Sequence, residues 1–263
     1  MKVSIRVDAS ARIGAGHLMR CLCLAEVLSR QGAEIEFLCG DHSDELATTL
    51  IGNKFPLVLL KRPNGHYMAK PDDPACAESL GASWEYDVQI VQSFLTNTDC
   101  LIIDHYGLDY RWHRAMRGHV DKIVAIDDWA DRKHDCDLLL DQTFDRDIDG
   151  YQGLVPENAQ LLLGSNYALL RPEFLANRAG SLERRMKHKS IQRILVYLGG
   201  IQSSNGIGTI LDGLGMVAFE DLPEIDIVLN TQSSFIEEIR KRVGELPFEV
   251  NIHTHVSDMA RFM

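Results

Sequence analysis

No long hydrophobic run and no excess of basic residues occur in this sequence of 263 residues. The lack of an apolar stretch of membrane-spanning length excludes an ordinary transmembrane helix. Arg6 and Asp8 interrupt the N-terminal segment where a signal peptide would need an apolar core. The formal net charge is -11, and such a surface repels phosphate backbones and anionic lipids. We therefore expect a cytoplasmic protein with neither nucleic acid nor a membrane as a partner.

Several sequence motifs of known catalytic and binding sites are also absent. The six cysteines include no C-x-x-C pair, which argues against a zinc site or a disulfide framework. Neither the G-x-S-x-G elbow of serine hydrolases nor the G-x-x-x-x-G-K-[ST] loop of nucleoside triphosphatases occurs. A dinucleotide fingerprint would need glycine at position 19, where the chain has Met19. Asp127, Asp128 and Asp131 could bind a divalent cation, but such turn sequences are usually solvated, so no metal and no cofactor is predicted.

What the sequence does contain is a regular alternation of apolar runs and helix-like periodic segments. This alternation is typical of an α/β protein with a parallel sheet covered by helices on both faces. The predicted strands are 3–8, 35–39, 56–60, 100–104, 122–127, 138–140, 160–163, 193–200, 225–229 and 248–254. The predicted helices are 17–31, 44–50, 84–96, 109–118, 205–218 and 233–243, with another opening at 255.

The alternation divides the chain into two Rossmann-like domains. The first domain is predicted at 1–170 and the second at 191–263, with a polar linker helix at 171–190 between them. The second domain holds only three predicted strands, so we expect it to be incomplete. The long segment 61–83, which has little periodicity, is predicted to be a functional or mobile loop.

The turn between the first strand and the first helix is the strongest candidate for chemistry. Gly14 and Gly16 allow a sharp bend and close approach of a ligand to the backbone. The amides at the start of the helix favour an anion. His17 stands where the helix begins, and the positive end of the helix dipole disfavours its imidazolium form. A neutral imidazole can take a proton from water, so His17 is predicted to be a general base.

Polar residues also follow the predicted strands. Asp104, His105 and Tyr106 come directly after an apolar strand, where the ligand crevice of a parallel sheet lies. Each aspartate at such a position could equally be a turn or cap residue. In the second domain, Gly199 and Gly200 offer bare backbone before a helix, and Asn205 could either cap that helix or face a diphosphate.

Several motifs, matching in order along nearly the whole chain, resemble one family. They are RVDAS and IGAGHLMRC (within 6–21), IIDHYGLD (102–109), IDD (126–128), HDCDLLLDQ (134–142), Tyr151 with GLVP (153–156), LLGSNYALLRPEF (162–174) and LGGIQSSN (198–205). The sequence resembles the UDP-2,4-diacetamido-2,4,6-trideoxy-beta-L-altropyranose hydrolases of pseudaminic acid biosynthesis, which look like glycosyltransferases of the GT-B fold.

The resemblance implies two Rossmann-like domains around a cleft and a reaction that needs no metal. Water activated by the histidine of G-x-G-H, here His17, attacks the anomeric carbon with inversion, and UDP leaves. The resemblance also implies that Tyr106 lines the site and that Asn205 contacts ligand, and Tyr167 is carried over as a substrate-binding residue. The implied partners are the UDP-sugar substrate and UDP.

Two other functions fit the same sequence features. In a glycosyltransferase of the same architecture, a sugar hydroxyl would replace water as the nucleophile. A non-catalytic protein would bind a sugar nucleotide without releasing UDP.

Overall fold

A computed structural model describes residues 1–10, 13–188, 190–198, 204–217, 223–229, 235–246, 249–254, 256 and 258–263. The chain forms two compact units, Met1–Leu169 and Leu170–Met263. Among the described residues, no helix is both long and apolar enough to cross a membrane.

The first unit alternates strands and helices, as its periodicity predicts. Its strands are β1 (Lys2–Val7), β2 (Glu34–Gly40), β3 (Leu57–Leu60), β4 (Thr98–Asp104), β5 (Val120–Ile126), β6 (Leu138–Asp141) and β7 (Gln160–Leu163). Its helices are α1 (Gly16–Arg30), α2 (Asp44–Ile51), α3 (Trp84–Val91) and α4 (Tyr110–Met116).

All seven strands join one parallel sheet in the order β3-β2-β1-β4-β5-β6-β7. The chain runs outward from β1 in one direction and then returns to build the other half from β4. The topological switch point therefore lies between β1 and β4, whose register pairs Val7 with Asp104. In open parallel sheets, ligands bind outside the carboxyl ends of the strands at such a point.

Alternate strand residues fill two separate layers of core. Ile102 of β4 packs in a cluster with Leu18 and Cys21 of α1. Its neighbours Leu101 and Ile103 point to the opposite face and pack in a cluster with α3 and α4. This period of two explains why the strands read as continuous apolar runs, since both faces of a parallel sheet are buried.

The second unit has its own core. It contains α5 (Pro172–Lys187), β8 (Arg193–Val196), α6 (Ser204–Gly215), β9 (Glu224–Val228), α7 (Ile236–Val243) and β10 (Val250–His253). Its strands pair in parallel in the order β10-β9-β8. Ile225 and Ile227 of β9 pack with Leu211 of α6 and Ile239 of α7. The helix α5 has no buried residue, in keeping with its polar sequence.

Two predicted helices differ from the structure. The helix predicted over 84–96 ends at Val91, because the amides of Ser93 and Phe94 bond to carbonyls three residues back and Asn97 adopts a φ of 53°. In place of the helix predicted from 255, the described residues hold one 3₁₀ turn, Met259–Arg261. Asp258 makes no side-chain cap bond there, so the usual stabilisation of a helix start is lacking.

The buried His113 makes the stability of the first unit sensitive to pH. The rings of His113 and His134 stack with centroids 5.4 Å apart, and both side chains are buried. Burial, followed by the charges of His134, Arg132 and Arg117, lowers the pKa of His113 well below its usual value, and Asp127 offsets this only in part. His113 is therefore neutral in the folded protein near pH 6, whereas the unfolded chain takes up a proton there.

This difference predicts that the contribution of neutral His113 to folding stability is fully present above about pH 6.5. That contribution is lost as the pH falls towards the lowered pKa of His113. We expect the free energy of unfolding to fall less between about pH 7.5 and about pH 5.5 in His113→Asn than in wild type, by roughly 1 kcal/mol. Urea unfolding followed by tryptophan fluorescence measures this, since Trp84, Trp112 and Trp129 all lie in the first unit. The control is His119→Asn, a substitution at an exposed histidine. If the free energy of unfolding changed equally with pH in wild type and in His113→Asn, the prediction would be wrong.

Candidate active site

A cavity of about 250 Å³ opens in the first unit at the switch point between β1 and β4. Residues from four segments of the chain surround it, including part of the loop 61–83. The lining residues are Asp8, Ile13, His17, Ala75, Cys76, Glu78, Ser79, Asp104, His105, Tyr106 and Trp129. Four predicted site residues (His17, Asp104, His105 and Tyr106) thus meet in one place.

The turn before α1 is open backbone next to this cavity. Gly14 has a φ of 85°, a conformation that favours glycine, and its amide donates to the Ser10 carbonyl at 2.7 Å. A Cβ at Gly14 or Gly16 would meet no atom within 4 Å. The helix α1 has no side-chain cap and no acidic residue in its first turn. Its positive end is therefore not neutralised by its own sequence.

His17 is held by a buried carboxylate. Its Nδ1 lies 2.6 Å from Oδ1 of Asp104, whose side chain is fully buried, while His17 itself retains 12% exposure. Arg20 Nη2 lies 3.3 Å from the same nitrogen, but the contact with Asp104 is much shorter, and because a carboxylate can only accept a hydrogen bond, Nδ1 carries the hydrogen. In the neutral ring the lone pair is then on Nε2, the nitrogen that can accept a proton. The arrangement matches the pairing of base and orienting carboxylate found in general-base sites.

Arg20 stabilises the ionised form of this carboxylate. It lies one helical turn after His17, on the same face of α1. Its Nε donates to Oδ2 of Asp104 at 2.6 Å and its Nη2 to Oδ1 at 2.7 Å. Its Nη1 donates to Asp128 at 2.6 Å. Burial by itself raises the pKa of Asp104, but His17 and the Arg20 guanidinium outweigh burial and hold that pKa far below its usual range.

An aromatic pair stands beside His17. The Tyr106 hydroxyl donates to Oδ2 of Asp128 at 2.6 Å, and burial, then this bond, raises the pKa of Tyr106. The His17 ring meets the Tyr106 ring edge-on at a centroid distance of 4.5 Å. Trp129 stacks on Tyr106 at 4.2 Å with an interplanar angle of 16°. The wall of the cavity at Tyr106 is therefore fixed by hydrogen bonding and by stacking.

Another part of the cavity lining is a buried polar group around Asp8. The amide of Gly107 donates to His105 Nδ1 at 2.9 Å, so Nε2 of His105 carries the hydrogen and faces Asp8 Oδ2 at 3.2 Å. Asp8 also accepts from the Gly40 amide at 2.7 Å and pairs with Arg6. Burial opposes ionisation of Asp8, but Arg6 and His105 outweigh it and hold its pKa well below the usual value.

Four other predicted site residues are Tyr167, Gly199, Gly200 and Asn205. Tyr167 is 43% exposed in a short 3₁₀ helix and is not among the cavity residues. Asn205 is exposed in the first turn of α6, in the second unit. Gly199 and Gly200 lie outside the described residues. Whether these four residues contact ligand stays a prediction.

Known proteins resemble the chain in sequence. A UDP-2,4-diacetamido-2,4,6-trideoxy-beta-L-altropyranose hydrolase of Campylobacter jejuni is 26% identical over 266 residues, which cover 100% of this chain and 81% of that protein. An uncharacterized protein of Methanocaldococcus jannaschii is 24% identical over 270 residues, covering 100% of this chain and 50% of that protein. No known protein-family model matches the chain.

Solved structures resemble it in fold. Acinetobacter baumannii MurG matches with a TM-score of 0.60 at 11% identity, over 99% of this chain and 69% of that one. Arabidopsis thaliana UGT89C1 complexed with UDP matches with a TM-score of 0.55 at 11% identity, over 96% of this chain and 70% of that one. The fold is GT-B-like. The prediction of a GT-B-like α/β fold made of Rossmann-like units is thereby confirmed, and the identity is too low for these likenesses to say more.

Sequence reasoning missed Arg20 and Trp129 and wrongly expected Asp127 and Asp128 to be solvated. Asp127, expected to be solvated, is fully buried and accepts from Arg132 at 2.7 Å. Asp128 pairs with Arg20. No group of three or more His, Cys, Asp or Glu among the described residues could hold a metal ion. Arg20 could have been found, since it lies three residues after His17 and therefore on the same face of the predicted helix.

Proposed function

We propose that this protein hydrolyses a UDP-linked 2,4-diacetamido-2,4,6-trideoxy-L-altrose in pseudaminic acid biosynthesis, with inversion and without a metal. The observation that carries the proposal is the contact of His17 Nδ1 with the buried carboxylate of Asp104, inside a cavity at the switch point of the sheet. The whole-length similarity to the Campylobacter jejuni hydrolase supports the choice of substrate.

In the proposed step, a water oxygen bonds to the anomeric carbon while the bond from that carbon to the β-phosphate oxygen breaks. The water proton passes to Nε2 of His17, and the bonding electrons leave with UDP. UDP is a good leaving group and needs no proton from an acid. The protein's part is to place water opposite the leaving oxygen and to take its proton. Asp104 and Arg20 hold the imidazole in the tautomer that this step requires.

The charges of the cavity suit the sugar rather than the diphosphate. The described residues that line it include three carboxylates, Asp8, Glu78 and Asp104, and no lysine or arginine. The lining therefore offers no cationic side chain to a diphosphate, whereas its carboxylates can accept hydrogen bonds from sugar hydroxyl and amide groups. About 250 Å³ is also near the lower end of ligand pockets, which suits one substituted sugar ring. We propose, as the resemblance implies, that Gly199, Gly200 and Asn205 contact the nucleotide.

The proposal is tested by incubating the protein with the UDP-linked diacetamido sugar and no acceptor. We expect release of UDP with the free sugar formed first as the anomer of inverted configuration, as followed by proton NMR before mutarotation. Release of UDP only when an acceptor alcohol is added would instead make the protein a glycosyltransferase. Binding without release in either condition would make it a non-catalytic binding protein.

A further inference from the structure

Trp129 is a large aromatic side chain left open at the mouth of the cavity. Its ring is stacked on Tyr106 at 4.2 Å, yet 46% of the residue is exposed. One stacked ring covers one face of an indole, so apolar surface of Trp129 remains available beside the cavity that it lines. By contrast, Trp112 of the same unit is fully buried.

The turn that carries Trp129 is held firmly. Asp127, two residues before Trp129, accepts from the Ala130 amide and from the Tyr151 hydroxyl, each at 2.9 Å. Ala130, just after it, has a φ of 52°, a left-handed conformation that is unfavourable for any residue with a Cβ. Such strain persists where surrounding contacts enforce it, and it concentrates at ligand sites. The backbone on both sides of Trp129 is thus fixed while its indole stays accessible.

The lining of the cavity combines apolar and polar groups. Ile13, Ala75, Tyr106 and Trp129 supply apolar surface, while the acidic residues and the histidines supply polar groups. A ligand that matches this lining carries hydroxyl or amide groups together with carbon-bound hydrogen or methyl groups. Sugars that bear N-acyl groups and lack a hydroxyl at the terminal carbon have this character.

We infer that Trp129 is a specificity-determining residue whose indole packs against the acyl methyl groups of an N-acylated sugar. This inference rests on the proposed function, because it assigns the cavity to the sugar of the substrate. A rigid, partly exposed ring gains from burying methyl groups without first losing side-chain freedom. It therefore favours acetylated sugars over analogues of the same shape that lack those methyl groups.

The test compares two UDP-sugars, the diacetamido sugar and its diformamido analogue, which lacks both acetyl methyl groups. A methyl-sized group in an apolar pocket changes kcat/KM by about 10–200-fold. We expect wild type to prefer the diacetamido sugar by roughly 10-fold or more, and Trp129→Ala to reduce this preference to about 3-fold or less. The change should appear mainly in KM, and Trp129→Phe should keep most of the preference.

The matched control is Phe144→Ala, which removes an aromatic side chain of the same unit that is 82% exposed and lies outside the cavity lining. It should leave both values of kcat/KM as in wild type. A merely structural role for Trp129 predicts an equal loss with both sugars. That result, or an unchanged preference in Trp129→Ala, would overturn the inference.

A fluorescence titration separates failure of this inference from failure of the proposed function. The diacetamido nucleotide sugar is titrated into wild type and into Trp129→Phe. Quenching in wild type that is lost in the variant, without release of UDP, supports the role of Trp129 and rejects hydrolysis. Release of UDP with the same sugar preference in wild type and Trp129→Ala rejects the role of Trp129 and keeps hydrolysis. Neither quenching nor release overturns both.

Discussion

Replacing His17 by asparagine is expected to lower kcat for UDP release on the order of 10²–10⁴-fold, the usual contribution of a general base. Asparagine keeps a polar side chain beside Asp104 but offers no nitrogen that can take a proton at neutral pH. His17→Phe removes the base as well and should be at least as inactive. The measurement is a continuous assay of UDP release with the UDP-linked diacetamido sugar, for wild type and both variants.

The loss must come from chemistry rather than from unfolding. The free energy of unfolding, measured by tryptophan fluorescence in urea, should stay within roughly 1 kcal/mol of wild type for His17→Asn, because the residue lies at a helix start and is not fully buried. His119→Asn, an exposed substitution elsewhere in the unit, should leave kcat unchanged. Wild-type turnover by His17→Phe would show that His17 is not the base.

The strands and helices of the first unit could be predicted because each obeys a local rule. β4 reads as a continuous apolar run because both of its faces are buried, and α1 shows helical spacing of Leu18, Cys21 and Leu22. Helix ends were harder to predict. The early end of α3 depends on the tight turn towards Asn97, which helical spacing of apolar residues does not reveal.

Part of the candidate site was also predictable from position alone. His17 follows a glycine turn and Asp104 ends a strand, so the rule for ligand crevices in parallel sheets applies to both. Their direct contact could not be predicted, because 87 residues separate them in the sequence. The same holds for Arg20 and Asp128, which are 108 residues apart. Pairings of this kind depend on strand order, and strand order is a property of the whole sheet.

Ion pairs with two buried arginines explain how a very acidic chain can keep acidic groups buried at the switch point. Arg6 pairs with Asp8 and Asp87, and Arg20 pairs with Asp104 and Asp128. Removing one member of a buried pair leaves an uncompensated charge, which is more costly than the pair itself. Arg6 therefore keeps Asp8 and Asp87 ionised, and Arg20 keeps Asp104 ionised and in place. For Asp104, the consequence is a fixed orientation of His17.

Replacing Asp104 by asparagine should therefore reduce kcat strongly although the side chain keeps its shape. We expect a loss on the order of 10²–10⁴-fold, with KM changed by less than about 3-fold. The introduced amide would turn its oxygen towards Arg20, which can only donate, and its NH₂ group towards His17 Nδ1. His17 would then accept at Nδ1 and carry its hydrogen on Nε2, and in that tautomer Nε2 cannot take a proton from water. Steady-state kinetics of UDP release measure the loss.

Two further measurements separate this positioning role from a structural one. The ¹⁵N chemical shifts of the His17 ring should show the hydrogen on Nδ1 in wild type and on Nε2 in Asp104→Asn, and a merely structural role would not exchange them. Asp99→Asn, on the same strand but half-exposed and outside the cavity, is the matched control and should keep wild-type kcat. If Asp104→Asn kept both the wild-type tautomer and the wild-type kcat, Asp104 would have no part in orienting the base.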